Sequence, residues 1–176
     1  MPAKTAAKVP SAPTFIDPAL MPWALVSELY WMSNKLLDRR LYQLRVTASQ
    51  ARILVALYYP TEPIKPSIIA QLLFQETQSI TGVLIRLESR GWVVRTPDPN
   101  DHRAVGLQLS DSGRKLTGEI IEIMRLLYDD LFAAPLSATE LRQVEAVLRK
   151  VRAFGFKLPE TDFKLRRAQQ FPVWKD

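Results

Sequence analysis

Cysteine is absent from this chain of 176 residues, and histidine occurs once, at position 102. Disulfide bonds, thiol nucleophiles and thiol-based redox sensing are therefore excluded. A single histidine also excludes a metal site built from His and Cys ligands, although a site made of carboxylates alone stays open. We accordingly expect neither a bound metal nor a cofactor.

Catalytic patterns are missing as well. The chain has only six glycines and no glycine-rich loop that could hold a phosphate. No nucleophile has an evident histidine partner, and no pair of carboxylates stands out as a general acid and base. The sequence therefore argues against an enzyme.

Long apolar runs are also missing, since none approaches the roughly 18 residues that a membrane-spanning helix needs. Residues 1–13 are rich in Ala, Lys and Pro but contain no apolar signal core. We therefore predict a cytoplasmic protein with no membrane partner and a disordered tail over residues 1–18. What the chain has in excess is basic charge, +6 at pH 7, which favours a polyanionic partner.

Most of the chain has the apolar periodicity of helices. A long helix is predicted over residues 22–43, and a second over residues 47–60, opened by a capping box of Thr47 and Gln50. A short third helix is expected over residues 66–73, with proline in its first turn.

Two further helices are predicted after residue 110. The first is capped by Ser110 and runs to Pro135, and the second opens at a capping box of Ser137 and Glu140 and ends near Gly155. We expect the last helix to bury one apolar stripe, made of Leu141, Val144, Val147, Leu148 and Val151.

Residues 75–113 are the most informative part of the chain. A helix with Ile80, Val83, Leu84 and Leu87 on one stripe is stopped by Gly91. Two β-prone runs, residues 92–95 and 105–109, then flank turn-forming residues 97–101, which places Arg103 near the hairpin tip. This order is typical of a winged helix in which the third and fourth helices form a helix-turn-helix pair.

The other side of this fourth helix carries short hydrogen-bonding groups and a cation, which can meet base edges and phosphates in a major groove. These residues are Thr77, Gln78, Ser79, Thr81, Gly82 and Arg86. An ordinary solvated surface is the alternative. Gly82 indicates close approach to DNA or to a neighbouring helix, unless it is a tolerated defect.

Three segments carry a family resemblance. Residues 86–93 (RLESRGWV), 98–103 (DPNDHR) and 109–113 (LSDSG) resemble, in sequence and spacing, the MarR (multiple antibiotic resistance regulator) family of bacterial transcription factors. The resemblance covers residues 23–155, and only Ser110, where the family usually has Thr, departs mildly from the pattern. It implies that the fourth helix is the recognition helix, that Arg103 enters the minor groove and that Asp101 holds its guanidinium. His102, beside them, is expected to meet solvent or phosphate.

The long terminal helices indicate a dimer, because a three-helix head with a wing has no internal use for them. The resemblance likewise implies a homodimer on a palindromic operator in double-stranded DNA, with half-sites roughly 10 bp apart. The predicted fold is mainly α with a small β-wing. Its regions are a tail (1–18), an N-terminal dimerisation helix (19–46), a winged helix-turn-helix DNA-binding region (47–111), C-terminal dimerisation helices (112–156) and an extension without an assigned role (157–176).

The resemblance further implies a small, aromatic and anionic effector. Aromatic walls with a guanidinium suit a phenolic carboxylate or its thioester. The candidate residues are Trp23, Tyr30, Trp31, Arg39, Arg40, Tyr42, Arg45 and Arg52. Aromatic residues at helical spacing equally suit a core or a dimer interface, and arginines on helix faces are usually solvated.

We therefore predict a homodimeric, sequence-specific DNA-binding regulator, a repressor that a small ligand releases from its operator. Two alternatives stay open. One is a constitutive DNA-binding or architectural protein of the same fold with no effector. The other is a winged-helix module that binds protein.

Overall fold

A computed structural model describes residues 17–98 and 101–157, without the side chains of residues 98 and 101–104. Most of the predicted tail and of the predicted C-terminal extension lies outside the described residues. The chain divides into two compact units, residues 1–35 and 36–176. The predicted class, mainly α with a small β-wing, is confirmed.

The described part of the first unit opens with a capped turn. Asp17 Oδ1 accepts a hydrogen bond from the N–H of Ala19 at 2.9 Å, which caps the 3-10 turn Pro18–Leu20. The tail predicted over residues 1–18 is therefore wrong at its last two residues, because this local hydrogen bond orders them. Helix α1 (Met21–Leu41) begins in this unit and ends in the second.

The second unit begins with the end of α1 and the helix that follows. A 3-10 turn, Tyr42–Leu44, succeeds α1 at the predicted helix end. Helix α2 (Ala48–Ala56) starts with the predicted capping box, in which Thr47 and Gln50 exchange side-chain to backbone bonds of 3.0 and 3.3 Å. The helix ends before the predicted residue 60, because its last N–H groups bond to carbonyls three residues back and tighten the turn.

The helix-turn-helix pair consists of α3 (Pro66–Leu72) and α4 (Thr77–Ser89). The two helices are bent by 113° relative to each other, as in known helix-turn-helix pairs. Among the described residues no single helix is long and apolar enough to cross a membrane, and only this bent pair meets that test when taken together.

The wing is an antiparallel pair of strands, β1 (Val93–Asp98) and β2 (Asp101–Leu109). Both strands are longer than predicted, since residues 97, 98 and 101, expected in the turn, are paired in the sheet. The register shifts between residues 97 and 98, and such an irregularity accommodates a proline, which has no N–H for the ladder. Ile64 adds a bridge to Leu107 through two hydrogen bonds of 3.0 and 2.8 Å, which no sequence pattern predicted.

Helix α5 (Asp111–Tyr128) follows the wing and has Ser110 as its predicted cap. The prediction of a regular helix up to residue 135 is wrong at its end. Residues 129–133 form a π-helical turn, closed by a 2.8 Å bond from the N–H of Ala134 to the carbonyl of Asp129.

Helix α6 (Ala138–Gly155) has the predicted capping box of Ser137 and Glu140. The hydrogen bonds that Ser137 donates lower the pKa of Glu140, which favours the charged carboxylate at this helix start. None of the residues of α6 is buried, so the predicted burial of its apolar stripe is wrong for a single chain. Leu141 and Val144 are half-buried, whereas Val147, Leu148 and Val151 are exposed. Phe154, three residues beyond the stripe, is exposed as well.

The core of the second unit fixes the position of α4 and of the wing. Its largest fully buried apolar side chains are Leu41, Ile53, Leu54, Ile69, Ile80, Leu87, Leu107 and Ile120. At Gly113 an added Cβ would lie 1.9 Å from the carbonyl oxygen of Trp92, so the start of α5 packs directly on the base of the wing. Only glycine permits this close approach.

Candidate nucleic-acid interface

The apolar stripe of α4 holds this helix against the core. Ile80, Leu84 and Leu87 are buried, as predicted, and Val83 is half-buried at the edge. Three buried side chains spread over two turns fix both the axis and the rotation of the helix. The face opposite the stripe is therefore held towards solvent.

This outer face contains all the residues that the sequence singled out on α4. Thr77, Gln78, Ser79, Thr81, Gly82 and Arg86 are exposed. The Thr81 hydroxyl donates to the carbonyl of Thr77 at 2.8 Å, which leaves its oxygen lone pairs and its methyl group as contact groups. The amide, hydroxyl and guanidinium groups of this surface therefore do not pack in the apolar core.

Gly82 lies in the middle of this outer face. A Cβ built there would meet only Arg86 Nη1, at 3.9 Å, which is an ordinary van der Waals distance. Packing inside the described chain therefore does not require glycine at this position. Among the residues that the structure describes, no neighbouring helix packs against Gly82, so close approach to DNA and a tolerated defect stay as its explanations.

An ion pair ties the wing to the end of α4. Arg95, on β1, donates from Nε to Glu88 Oε2 at 3.0 Å, and its Nη2 lies 2.9 Å from Oε1. This two-point geometry raises the pKa of Arg95, since Glu88 stabilises the charged guanidinium by hydrogen bonding and Coulomb attraction. Through this pair the wing is connected to α4 by side chains as well as by the backbone. No sequence pattern predicted this pair, although Glu88 and Arg95 flank the glycine stop that joins helix to strand.

A second arginine ties the C-terminal end of α4 to the segment between α1 and α2. Arg90 donates from Nη1 to the carbonyl of Arg45 at 2.6 Å, and its guanidinium carbon lies 4.8 Å from the centre of the Trp92 ring. Arg45 has a left-handed backbone, with φ of 53°. Arg45 thus contributes its backbone carbonyl to this contact, which the sequence did not predict.

The predicted wing residues Asp101, His102 and Arg103 are the first three residues of β2. Their side chains are outside the described part of the structure, so the expected contact of Asp101 with Arg103 stays a prediction. Arg103 is the third residue of β2, two positions after the pair of Asp98 and Asp101 that borders the turn, so its backbone lies near the hairpin tip, as predicted.

The predicted effector residues fall in both units. In the first unit Trp23, Tyr30 and Trp31 are exposed, and the rings of the last two meet edge to face at 5.3 Å. In the second unit Tyr42 is 81% exposed.

The predicted arginines of the second unit differ in their surroundings. Arg40 already forms an ion pair with Asp130 of the π-helical turn. Arg39 and Arg45 are exposed, and Arg52 is half-buried. The charge of Arg40 is therefore engaged within the chain. Among the residues that the structure describes, no cluster of three or more His, Asp or Glu side chains could hold a metal ion.

Comparisons with known proteins agree with this geometry. Residues 46–105 match the family model described as the MarR family. The transcriptional repressor MprA of Escherichia coli is 30% identical over 124 residues, which are 68% of this chain and 70% of MprA. The regulator PecS of Dickeya dadantii is 30% identical over 138 residues, 77% of this chain and 82% of PecS.

A solved structure of a MarR mutant from E. coli, complexed with operator DNA, shares the fold with a TM-score of 0.67 and 28% identity. The match covers 77% of this chain and 99% of that chain. The resemblance recognised in residues 86–113 is thus confirmed, and it extends over most of the chain. The protein belongs to the MarR family and is a DNA-binding transcriptional regulator of the winged-helix type, not an enzyme.

Proposed function

We propose that this chain acts as a homodimeric repressor, which binds a palindromic operator in double-stranded DNA and is released by a small aromatic anion. The observation that carries the proposal is the outer face of α4. Its apolar stripe is buried, while every polar residue of the opposite face is exposed beside a two-stranded wing. Helix and wing together fit adjacent grooves of one duplex.

The residues of α4 are assigned different tasks by their chemistry. Gln78, Ser79 and Thr81 carry donors and acceptors that can read base edges, and Arg86 carries a charge suited to a phosphate. Gly82 would let the helix backbone approach the bases closely, which is supported by the open space around it within the chain. Arg103, with Asp101 and His102, would follow the adjacent minor groove.

Dimerisation is supported by the apolar stripe of α6. Val147, Leu148, Val151 and Phe154 are all largely exposed in the single chain. Full burial of one such side chain contributes about 1.5–3 kcal/mol, and a two-fold dimer would bury each of them twice. We propose that a second copy covers this stripe together with the exposed apolar residues of α1. A two-fold dimer then matches a palindromic operator.

The effector is proposed from the aromatic residues of α1. In the first unit, Trp23, Tyr30 and Trp31 are exposed, and their rings would suit an aromatic acid or its thioester. In the second unit, Arg39 is exposed and has a charge suited to a carboxylate. To act as an inducer, the ligand must bind the DNA-incompetent arrangement more tightly than the DNA-bound one. A coupling of about 1–3 kcal/mol would suffice to change operator affinity about 5- to 150-fold.

The DNA proposal is tested by selecting duplexes from a randomised library with the full-length protein. We expect an enriched palindrome, with half-sites one helical turn apart. The affinity for random duplex should also fall with salt, with a slope in log K of about −0.9 per phosphate contact. A result with no enrichment and no salt dependence would favour the protein-binding alternative. Salt dependence without enrichment would favour an architectural protein.

The effector proposal is tested by adding hydroxycinnamate-type and benzoate-type acids, with their thioesters, to the bound operator. We expect release of DNA together with quenching of tryptophan fluorescence. If none of these compounds releases DNA that the protein still binds saturably, the constitutive alternative is correct. A reporter gene placed behind the selected palindrome distinguishes a repressor from an activator. We expect its expression to be lower with the protein than without it, whereas higher expression would indicate an activator.

A further inference from the structure

Phe74 lies in the turn between α3 and α4 with a left-handed backbone, at φ 53°. Glycine adopts this conformation freely, whereas a bulky side chain there is an outlier. The ring is also 52% exposed, so burial in the core does not account for it. A strained and exposed aromatic residue indicates a use of the side chain outside the core.

The ring of Phe74 meets the far end of the chain. It stacks on the ring of Phe156, with centroids 5.6 Å apart and planes inclined by 22°. Phe156 is the C-terminal cap residue of α6, and the guanidinium carbon of Arg152, one turn earlier, lies 4.7 Å from the centre of its ring. The stack thus joins the end of α6 to the turn that precedes α4.

We infer that the stack of Phe74 on Phe156 is a positioning contact, which sets the orientation of α4 for sequence-specific DNA binding. The inference rests on the proposed function. Helix α4 begins at Thr77, three residues after Phe74, so a displaced turn moves the first base-reading side chains directly. The same α6 carries the stripe that we assign to the second copy, so the stack connects the dimer surface with the recognition helix.

Base contacts and phosphate contacts respond differently to a displaced helix. Hydrogen bonds to base edges require a fixed distance and direction, whereas a long basic side chain can follow a phosphate. Loss of the stack should therefore lower the affinity for the operator and leave the affinity for random duplex and its salt slope unchanged. A contact that only stabilises the fold would not produce this difference.

The test compares three full-length variants with the wild type on the selected operator and on random duplex. Phe74→Gly removes one ring and also relieves the left-handed strain, so its thermal midpoint should not fall. Phe156→Ala removes the other ring, and Phe156→Tyr keeps the stack as the matched control. We expect the first two variants to bind the operator about 2- to 10-fold more weakly, the range that one aromatic pair can supply, and Phe156→Tyr to match the wild type.

The double variant Phe74→Gly with Phe156→Ala should bind no more weakly than the weaker single variant, because both changes remove the same contact. Operator affinity retained by both single variants, or lost equally on operator and random duplex, would overturn the inference while the proposed function stands. A wild type without preference for any duplex would refute the proposed function and this inference with it.

Discussion

Gly82→Ala adds one methyl group, which should change the stability of the fold and the affinity for DNA in opposite directions. The position is in the interior of α4, and the added methyl group would meet only Arg86 Nη1, at 3.9 Å. Alanine is favoured over glycine in a helix interior by about 1 kcal/mol. The free energy of unfolding should therefore rise by about that amount, and the thermal midpoint by about 2–4 °C for a chain of this length.

DNA binding should change in the opposite direction. If the backbone of α4 approaches the bases at residue 82, the methyl group must be accommodated in a closely packed groove. Overpacking by one such group costs about 1–3 kcal/mol, which corresponds to a loss of about 5- to 150-fold in operator affinity. The variant would thus be more stable than the wild type and yet bind more weakly.

The assay pairs thermal unfolding with a fluorescence-anisotropy titration of the operator. Gly118→Ala is the matched control, because Gly118 also lies inside a helix, α5, with nothing within 4 Å of its added Cβ. It should raise the thermal midpoint in the same way and leave operator affinity unchanged. Unchanged or tighter operator binding by Gly82→Ala would refute the reasoning and make Gly82 a tolerated helix defect.

Four further changes test separate parts of the interface. Arg103→Ala should weaken operator binding about tenfold or more without altering the circular dichroism spectrum, and an unchanged mobility-shift titration would remove Arg103 from the interface. Arg86→Ala should lower affinity for all duplexes alike and reduce the salt slope by about 0.9 per protomer, which is about 1.8 for the dimer; a loss confined to the operator would make it a base-reading residue. Glu88→Gln should weaken the hold on Arg95 and increase amide exchange in the wing, and unchanged exchange would mean that the strand ladder alone fixes the wing. Val151→Glu should convert the dimer to a monomer in sedimentation at micromolar concentration, and an unaltered dimer would place the interface elsewhere.

Local chemistry accounts for the elements that were predicted well. The caps at Thr47, Ser110 and Ser137 depend on residues three positions apart, and the buried stripe of α4 depends on its own periodicity. Both signals are contained in short windows of sequence. The outer face of α4 follows from the same window, because a helix held by one face presents the other.

What escaped prediction depends on partners distant in sequence. Periodicity identifies the apolar face of α6 but not what covers it, so the exposure of Val151 was not foreseen. The left-handed backbones of Arg45 and Phe74 were also missed, since neither residue type favours that conformation. Only contacts with Arg90 and Phe156, far along the chain, make their use evident.

The arginines around the wing have a consequence for how binding responds to ionic strength. Arg90, Arg95 and Arg114 each have an acceptor within the protein: the carbonyl of Arg45, the carboxylate of Glu88 and the carbonyl of Tyr58. Only the acceptor of Arg95 is charged. The carbonyls beside Arg90 and Arg114 are neutral, so these two guanidinium groups keep their charge and further N–H donors for phosphates. Counting basic residues therefore overstates by one the phosphates that each protomer can neutralise. One fewer phosphate contact makes the salt slope shallower by about 0.9, so that a rise from 50 to 200 mM salt costs about 3.5-fold less affinity per protomer. Occupancy of the operator would then depend less on ionic strength than the number of basic residues suggests.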